Sequence, residues 1–493
     1  ALDCSLEELK SISLTINTGK SSEFGDFSCN AAMVFSKSIG TSPISLAQKI
    51  SKQLSEDISE IESVQIAGPG FINITLSANS WQQIASSILN DPEGKKISLA
   101  CSDKKKYLVE FVSPNPTGPL HLAHGRNAII GDVLARVLSF LGHDVTRECY
   151  INDAGVQITN LGKSLKSRVA AFLGEEIPFP EEGYKGEYLQ DVAEQLVTEQ
   201  GKNVLEQPTT FFSEYAKNKM LALIKVSLDR YGIAFDNWFS ELSLHVAGEV
   251  DLAVKLLEEN GLAYKQDDAL WFKSTEFGDD KDRVLKKTDG SYTYIAPDLA
   301  YHKNKFDRGF DKIIDIFGQD HHGYVHRLKG VIKAIGYDAE KLDVILYQLV
   351  RMKKGEAYVR MSKRSGNFEL LSDVIDAVGV DVARFFYLNR KADSHLEFDL
   401  DIALKKTDEN PVYYIQYALV RMKSILEKAS KIDVFSSGVK DGKDLLNSET
   451  AELKAPEISI LKKICLFGEV LNTIESGYQT HLLTTYSYEL AQQ

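Results

Sequence analysis

The sequence predicts an α/β protein in three parts: a small α/β module, a mostly parallel sheet domain carrying a helical insertion, and a closing bundle of α-helices. Three observations carry that reading. Short apolar runs at Tyr107 to Val112, Val145 to Ile151, Lys312 to Phe317 and Val344 to Val350 read as buried strands, and each empties into a loop rich in glycine or proline. Residues 155–265, between the second and third runs, are polar and patterned mostly as helix. From Asp373 onward the pattern is helical.

Composition narrows the possibilities. A chain of 493 residues, 43% of them hydrophobic, is long enough to bury several cores. No apolar run approaches a membrane span, and the N-terminus lacks the basic-then-apolar order of a signal peptide. The five cysteines, Cys4, Cys29, Cys101, Cys149 and Cys465, are scattered without CxxC spacing, so a reducing, cytoplasmic setting without structural zinc is expected. A net charge of −13 and a pI near 5.4 argue against indiscriminate nucleic-acid binding. Any such contact has to use local basic patches.

Taken in order, residues 1–95 form the first module. Gly25-Asp26-Phe27-Ser28-Cys29-Asn30 opens an apolar helical pattern, and Val64 to Ile66, a turn at Ala67-Gly68-Pro69-Gly70, and Phe71 to Leu76 read as strand, turn, strand. Nothing in it looks catalytic. The lysine-rich stretch from Glu93 to Lys106 is the linker.

Ser113-Pro114-Asn115-Pro116-Thr117-Gly118-Pro119-Leu120-His121-Leu122-Ala123-His124-Gly125 then joins the first core strand to a long helix. Ile130, Val133, Leu134, Val137, Leu138 and Leu141 give that helix one apolar face, and Gly142 is placed to end it. The prolines hold the loop open at the strand's carboxyl end, where α/β sheets bind ligands. His121 and His124 enter the helix N-terminus, where free N–H groups and the dipole favour phosphate. They serve there either as helix caps, as half a metal site or as a nucleotide grip.

The second strand ends in Asn152-Asp153-Ala154-Gly155 and should lie beside that loop. Tyr184-Lys185-Gly186-Glu187-Tyr188 and Phe235-Asp236-Asn237-Trp238-Phe239-Ser240-Glu241 are the aromatic landmarks of the insertion, where packing is the plainer role. Leu270-Trp271-Phe272 returns to the core, and Thr293 to Pro297 reads as a strand-like run that presents Tyr294 and Asp298 to one pocket. A carboxylate buried there needs a cationic partner, either a protein Lys or Arg or a ligand guanidinium.

Lys312 to Phe317 empties into Gly318-Gln319-Asp320-His321-His322-Gly323. Glycine admits a close ligand, and Asp at a strand's carboxyl end commonly accepts from ribose hydroxyls. His321 and His322 are adjacent and diverge, which disfavours zinc. After Val350 come a Lys354-Gly355 turn and the basic loop Val359-Arg360-Met361-Ser362-Lys363-Arg364-Ser365-Gly366-Asn367, in which a cation could neutralise phosphate charge. In the closing bundle, Val412, Ile415, Ala418, Leu419, Met422 and Leu426 share a face, with Tyr413, Tyr414 and Tyr417 beside it.

The loop at 113–125 resembles the HIGH signature of class I aminoacyl-tRNA synthetases, with Ala123 where its third position is usually Gly, and its Ser-Pro-Asn lead-in resembles arginyl-tRNA synthetases. The loop at 359–367 resembles the second class I signature, KMSKS, with Arg360 for its first lysine, Lys363 kept and Arg364 for its last serine. The resemblance covers nearly the whole chain from residue 25. It implies a Rossmann-type catalytic domain at 106–372, an N-terminal additional domain at 1–95 that contacts the outer corner of tRNA, and a stem-contact and α-helical anticodon-binding segment at 373–493. The family's bundle normally continues past Gln493, so a fragment trimmed at both ends is expected.

The implied activity is ATP-dependent formation of arginyl-adenylate and transfer of arginine to tRNA(Arg). The resemblance assigns catalysis to His121, His124 and Lys363. It assigns arginine to Glu110, Ser113, Asn115, Tyr294, Asp298 and Gln319, and ATP to His121, His124, Gly125, Gly318, Asp320, His321, Met361, Ser362 and Lys363. ATP is expected as substrate with Mg2+, no metal is held by protein alone, no membrane is involved and the chain acts as a monomer. A synthetase for another amino acid would share both signatures but not the acidic pocket, and a silent tRNA-binding relative would keep only the fold.

Overall fold

The computed structural model describes residues 12, 14–17, 23–91, 93–94, 103–358, 370–431 and 453–493. Its contacts gather into two compact units, one of Ala1–Ala100 with Pro411–Ser476 and Leu482–Gln493, the other of Cys101–Asn410 with Gly477–His481.

The second unit is built on a five-stranded parallel sheet. Its strands are β1 (Lys106–Glu110), β2 (Asp144–Ile151), β3 (Asn237–Ser240), β4 (Lys312–Gly318) and β5 (Leu342–Tyr347), in the order β5-β4-β1-β2-β3. The chain runs outward from β1 through β2 to β3 and then returns to pair β4 on the other side of β1. That reversal is the point at which doubly wound sheets open a crevice at the strands' carboxyl ends. The loops after β1 and β4 flank it.

The helix after β1, α1 (Leu122–Phe140), ends at Leu141 and Gly142 (φ +98°), where a left-handed residue is best supplied by glycine. One apolar face is expected for it, but it is buried on most sides: Arg126, Asn127 and Asp132 are buried alongside Ile130 and Leu138. Three helices of the insertion, α2 (Val156–Leu173), α3 (Tyr188–Gln200) and α4 (Thr209–Arg230), share a core of Leu161, Leu165, Leu189, Phe212 and Met220.

Three expectations are corrected. Leu270-Trp271-Phe272 belongs to a separate three-stranded antiparallel sheet, Arg283–Lys286 with Ala269–Phe272 and Ala263–Gln266. The run around Tyr294 is no strand: after β3 come a short helix, α5 (Glu241–Val246), a helix Glu249–Glu259 and that antiparallel sheet, and the chain then enters α6 (Ile295–Asp307) with Pro297 in its first turn. Proline is tolerated there because first-turn N–H groups have no intrahelical acceptor. The expected strand to Val350 also stops at Tyr347; Gln348 turns away to bond the Ala392 carbonyl (2.8 Å), and Val350–Lys354 pairs with Leu396–Asp399 and Ala357–Tyr358 in another sheet.

In the first unit a four-stranded antiparallel sheet orders Leu14–Ile16, Phe27–Cys29, Phe71–Leu76 and Ile61–Ala67, backed by helices Ala31–Ile39 and Pro43–Asp57. Trp81 packs on Leu461, and Lys462 reaches the Asp26 carboxylate at 2.7 Å. The helix Pro411–Ala429 buries Val412 but leaves Leu419, Met422 and Leu426 exposed. Tyr413 and Tyr417 stack on its exposed side, whereas Tyr414 packs on Tyr488.

Candidate active site

The crevice is built from the end of β1 outward. After Glu110 the chain turns sharply, with Val112 and Ser113 both at positive φ (68° and 37°), conformations that cost a non-glycine residue about 1–3 kcal/mol. Buried Asn127 holds this turn. It accepts from Val112 N–H (2.7 Å) and donates to the Ile316 carbonyl of β4 (2.9 Å), tying the two strand ends together. Ser113 Oγ donates to Glu110 Oε1 (2.8 Å) and accepts from Tyr150 N–H of β2 (3.0 Å), so the second strand does lie beside the loop. Asn115 is exposed.

His121 caps α1 with extended backbone, and its N–H donates to His124 Nδ1 (3.1 Å). The two rings are near-parallel at 6.1 Å. Burial, with His121 alongside, holds His124 below the ordinary imidazole range, so it meets a ligand as a neutral ring. Gly125 is needed for packing: an added Cβ would come within 2.5 Å of the Tyr387 ring and 2.7 Å of Leu371. Leu371 N–H also donates to Leu120 O (2.9 Å), and His121 bridges Leu370. The first signature is therefore fastened to the chain that emerges from the second. Met361, Ser362 and Lys363 lie outside the described residues.

Arg126, fully buried, forms no ion pair among the described residues; its guanidinium donates to the carbonyls of Gln348 (2.8 Å), Ser394 (2.7 Å) and Lys391 (2.6 Å), and burial lowers it to about 10. At the end of β4, Gly318 leads into a single turn, Gln319–His321. A Cβ on Gly318 would meet Asp320 Oδ1 at 2.5 Å. Gln319 is half-buried, while Asp320 and His321 are exposed at the N-terminus of α7 (His322–Ala334).

A cavity of about 680 Å³ opens beside this crevice, lined among others by Asn152, Glu241, His245, Tyr294 and Pro297. Tyr294 is 75% exposed at its rim. Asp298 follows on the next turn of α6 and is half-buried; its carboxylate accepts from the Tyr324 hydroxyl. Burial pushes Asp298 up, an effect that Tyr324, His302 and Lys305 oppose. Glu241 is raised too, first by burial and further by Asp298 nearby. No ion pair of Asp298 with a protein cation is present among the described residues, while Glu241 has only His245 at 3.6 Å. Glu241 lines the cavity, and Asp298 follows Pro297 of its wall, so two carboxylates that burial disfavours as anions stand close enough for Asp298 to raise Glu241.

Sequence reasoning missed four members of this constellation. Glu241 appeared only as the tail of an aromatic stretch. Asn127 and Arg126 looked like ordinary residues of an amphipathic helix. Lys305, which pairs with Glu110 and Asp315, was hidden by reading its helix as a strand, although Asp298, His302 and Lys305 at i, i+4 and i+7 do mark one helical face.

A parallel sheet with its crevice at the switch point, an HxxH at the first helix and a second basic signature define a class I aminoacyl-tRNA synthetase. Residues 84–397 match the family model for the class I (R) tRNA synthetase catalytic domain, residues 1–76 the arginyl-tRNA synthetase N-terminal domain and residues 415–493 the DALR anticodon-binding domain. The chain is 44% identical to an arginine–tRNA ligase of Geobacter sp. (strain M21), over 95% of this chain and 84% of that one, and 43% identical to arginine–tRNA ligase 1 of Halalkalibacterium halodurans, over 97% and 85%. Its fold matches the Thermus thermophilus arginyl-tRNA synthetase structure with a TM-score of 0.72 at 19% identity, covering 99% of this chain and 89% of that one. The chain belongs to the arginyl-tRNA synthetase family.

Proposed function

We propose how this site divides the arginine–tRNA ligase reaction among its residues. The reaction has two steps: the arginine carboxylate attacks the α-phosphate of ATP with loss of pyrophosphate, and the terminal ribose of tRNA(Arg) then attacks the arginyl-adenylate. Asp298 and Glu241 read the guanidinium, with Tyr294 at the rim of the cavity; Asp298 is the observation that carries the reading, because it is a half-buried carboxylate that burial disfavours as an anion and that forms no ion pair among the described residues. Ser113 and Asn115 meet the α-amino end, Glu110 acts there through Ser113, and Gln319 lies on the amino-acid side.

For the nucleotide, His121 and His124 steady the α-phosphate at the α1 N-terminus. Gly125 and Gly318 let backbone come close, Asp320 accepts from the ribose, and His321 borders the nucleoside. Lys363, with Met361 and Ser362, neutralises charge on the departing pyrophosphate, so catalysis is positioning and electrostatics. Mg2+ arrives with ATP, coordinated by its phosphates. No helix of the described residues is long and apolar enough to cross a membrane. We place the enzyme in the cytoplasm as a monomer, with residues 1–95 on the outer corner of tRNA, 106–372 performing the chemistry and 373–493 reaching the stem and anticodon.

Arginine-dependent exchange between ATP and pyrophosphate, run with and without tRNA, tests the assignment. Exchange is expected with arginine and to require tRNA; exchange supported by another amino acid, or none at all, would overturn it.

A further inference from the structure

Two buried carboxylates stand side by side beneath the amino-acid pocket. Glu110, at the end of β1, and Asp315, in β4, are register partners on adjacent parallel strands, 4% and 0% exposed. Like charges placed opposite one another in a sheet repel, and burial away from water makes that worse. Lys305, itself 0% exposed, answers both: its ammonium donates to Asp315 Oδ1 (2.7 Å) and to Glu110 Oε2. Burial opposes the ammonium, yet the two carboxylates together hold it above the ordinary lysine range.

The triad has two arms, one to the turn after β1 and one to the first turn of α6. On one side Glu110 Oε1 takes the Ser113 hydroxyl, fixing a residue whose backbone is already held at positive φ. On the other, Asp315 Oδ2 lies 2.9 Å from His302 Nε2, and His302 Nδ1 donates to the Asp298 carbonyl at 2.8 Å. The ring thereby bridges the Asp315 carboxylate and the Asp298 backbone. The path from Ser113 to Asp298 is unbroken and runs through Lys305.

We propose that Lys305 is a positioning residue for arginine, a resident cation that locks Ser113 and Asp298, the two ends of the amino-acid pocket, at one separation and occupies Glu110 so that Glu110 never competes for the substrate's own charges. This rests on the assignment of the cavity to arginine. Lys305 touches neither arginine nor ATP, so its removal has to appear as loosened arginine recognition and not as a general loss of nucleotide binding.

The test compares KM for arginine with KM for ATP in tRNA-dependent exchange by the full chain. Lys305→Met leaves two buried carboxylates unpaired and is expected to be unstable. The decisive variant is therefore Lys305→Met combined with Glu110→Gln, which removes one charge of each sign and leaves Asp315 with His302. It is expected to melt close to wild type, to raise KM for arginine roughly tenfold or more and to leave KM for ATP within about twofold. Wild-type arginine KM, an equal rise in both constants, or failure of this charge-balanced variant to fold would each overturn the proposal in favour of a purely structural triad. Asp298→Asn is run in parallel. If it leaves arginine KM unchanged, the cavity assignment itself has failed; if it alone raises arginine KM, the assignment stands and the role of Lys305 falls.

Discussion

The two halves of the crevice are built on opposite principles. On the side proposed for the amino acid the charged groups are buried and most are already answered: Glu110 and Asp315 by Lys305, and Glu148 by Arg308 at 2.6 Å and by the Tyr301 hydroxyl at 2.7 Å. Asp298 and Glu241 stand out against that background because, among the described residues, neither forms an ion pair with a lysine or arginine while burial raises both. On the nucleotide side His121, Asp320 and His321 are exposed on short turns and helix ends. Discriminating one amino acid requires preorganised, desolvated partners, since only there does an unmatched donor or acceptor cost several kcal/mol. ATP carries several charges, and backbone N–H groups with mobile cations suffice to grip it.

The largest expected effect breaks that contrast at its amino-acid end. Asp298→Asn keeps the size of the side chain but removes its charge and turns an N–H toward the guanidinium. Losing one partner of a desolvated charge pair costs about 2–5 kcal/mol, roughly thirty- to several-thousand-fold in arginine affinity. ATP affinity should hardly change. Tritiated-arginine binding beside ATP binding checks this, and unaltered arginine affinity would return Asp298 to a structural bond with Tyr324.

Lys363→Ala addresses the nucleotide end. A cation that acts as pyrophosphate leaves should cost on the order of tenfold to a thousandfold in the activation rate and far less in ground-state ATP binding. Pre-steady-state kinetics separate the two; equal losses would mean that Lys363 merely binds ATP.

Much of this was legible in the chain. Strand ends, the glycines that follow them and both signatures in their order could be read because strand periodicity and turn chemistry are local. The polar interior could not. Arg126 and Asn127 are buried on a helix whose apolar residues alone set its predicted face, and a buried charge has the same letter as a solvated one. Pro297 misled for a related reason: it reads as a strand break, but in the first turn of α6 it is no obstacle, and that one decision concealed the stripe of Asp298, His302 and Lys305.

Gly125→Ala sharpens the comparison from the packing side. An α-carbon substituent would press on the Tyr387 ring at 2.5 Å, and that ring is held by its hydroxyl bond to the Leu122 carbonyl (2.9 Å). Overpacking of this kind costs about 1–3 kcal/mol. Thermal unfolding should report it, together with weaker ATP binding. A variant that loses ATP binding with no loss of stability would show that Gly125 is needed by the nucleotide alone.

The smallest effect concerns how the insertion steadies the first signature. Tyr188, at the start of α3, donates its hydroxyl to the Thr117 carbonyl (2.7 Å), and Gly118 passes so close that a Cβ there would lie 3.0 Å from the same oxygen. Burial pushes this phenol up to about 12, so it remains a donor at any ordinary assay pH. Tyr188→Phe keeps the ring that packs in the insertion core and deletes only the hydroxyl. One neutral hydrogen bond is worth about 0.5–1.5 kcal/mol, or roughly two- to twelvefold in a rate that depends on it. If the bond sets the loop that leads to His121 and His124, activation should slow by that factor while arginine affinity, governed by the separately fastened α6 side, stays put. An unchanged activation rate with lowered stability would mean that Tyr188 serves the insertion only, and that the prolines hold the loop unaided.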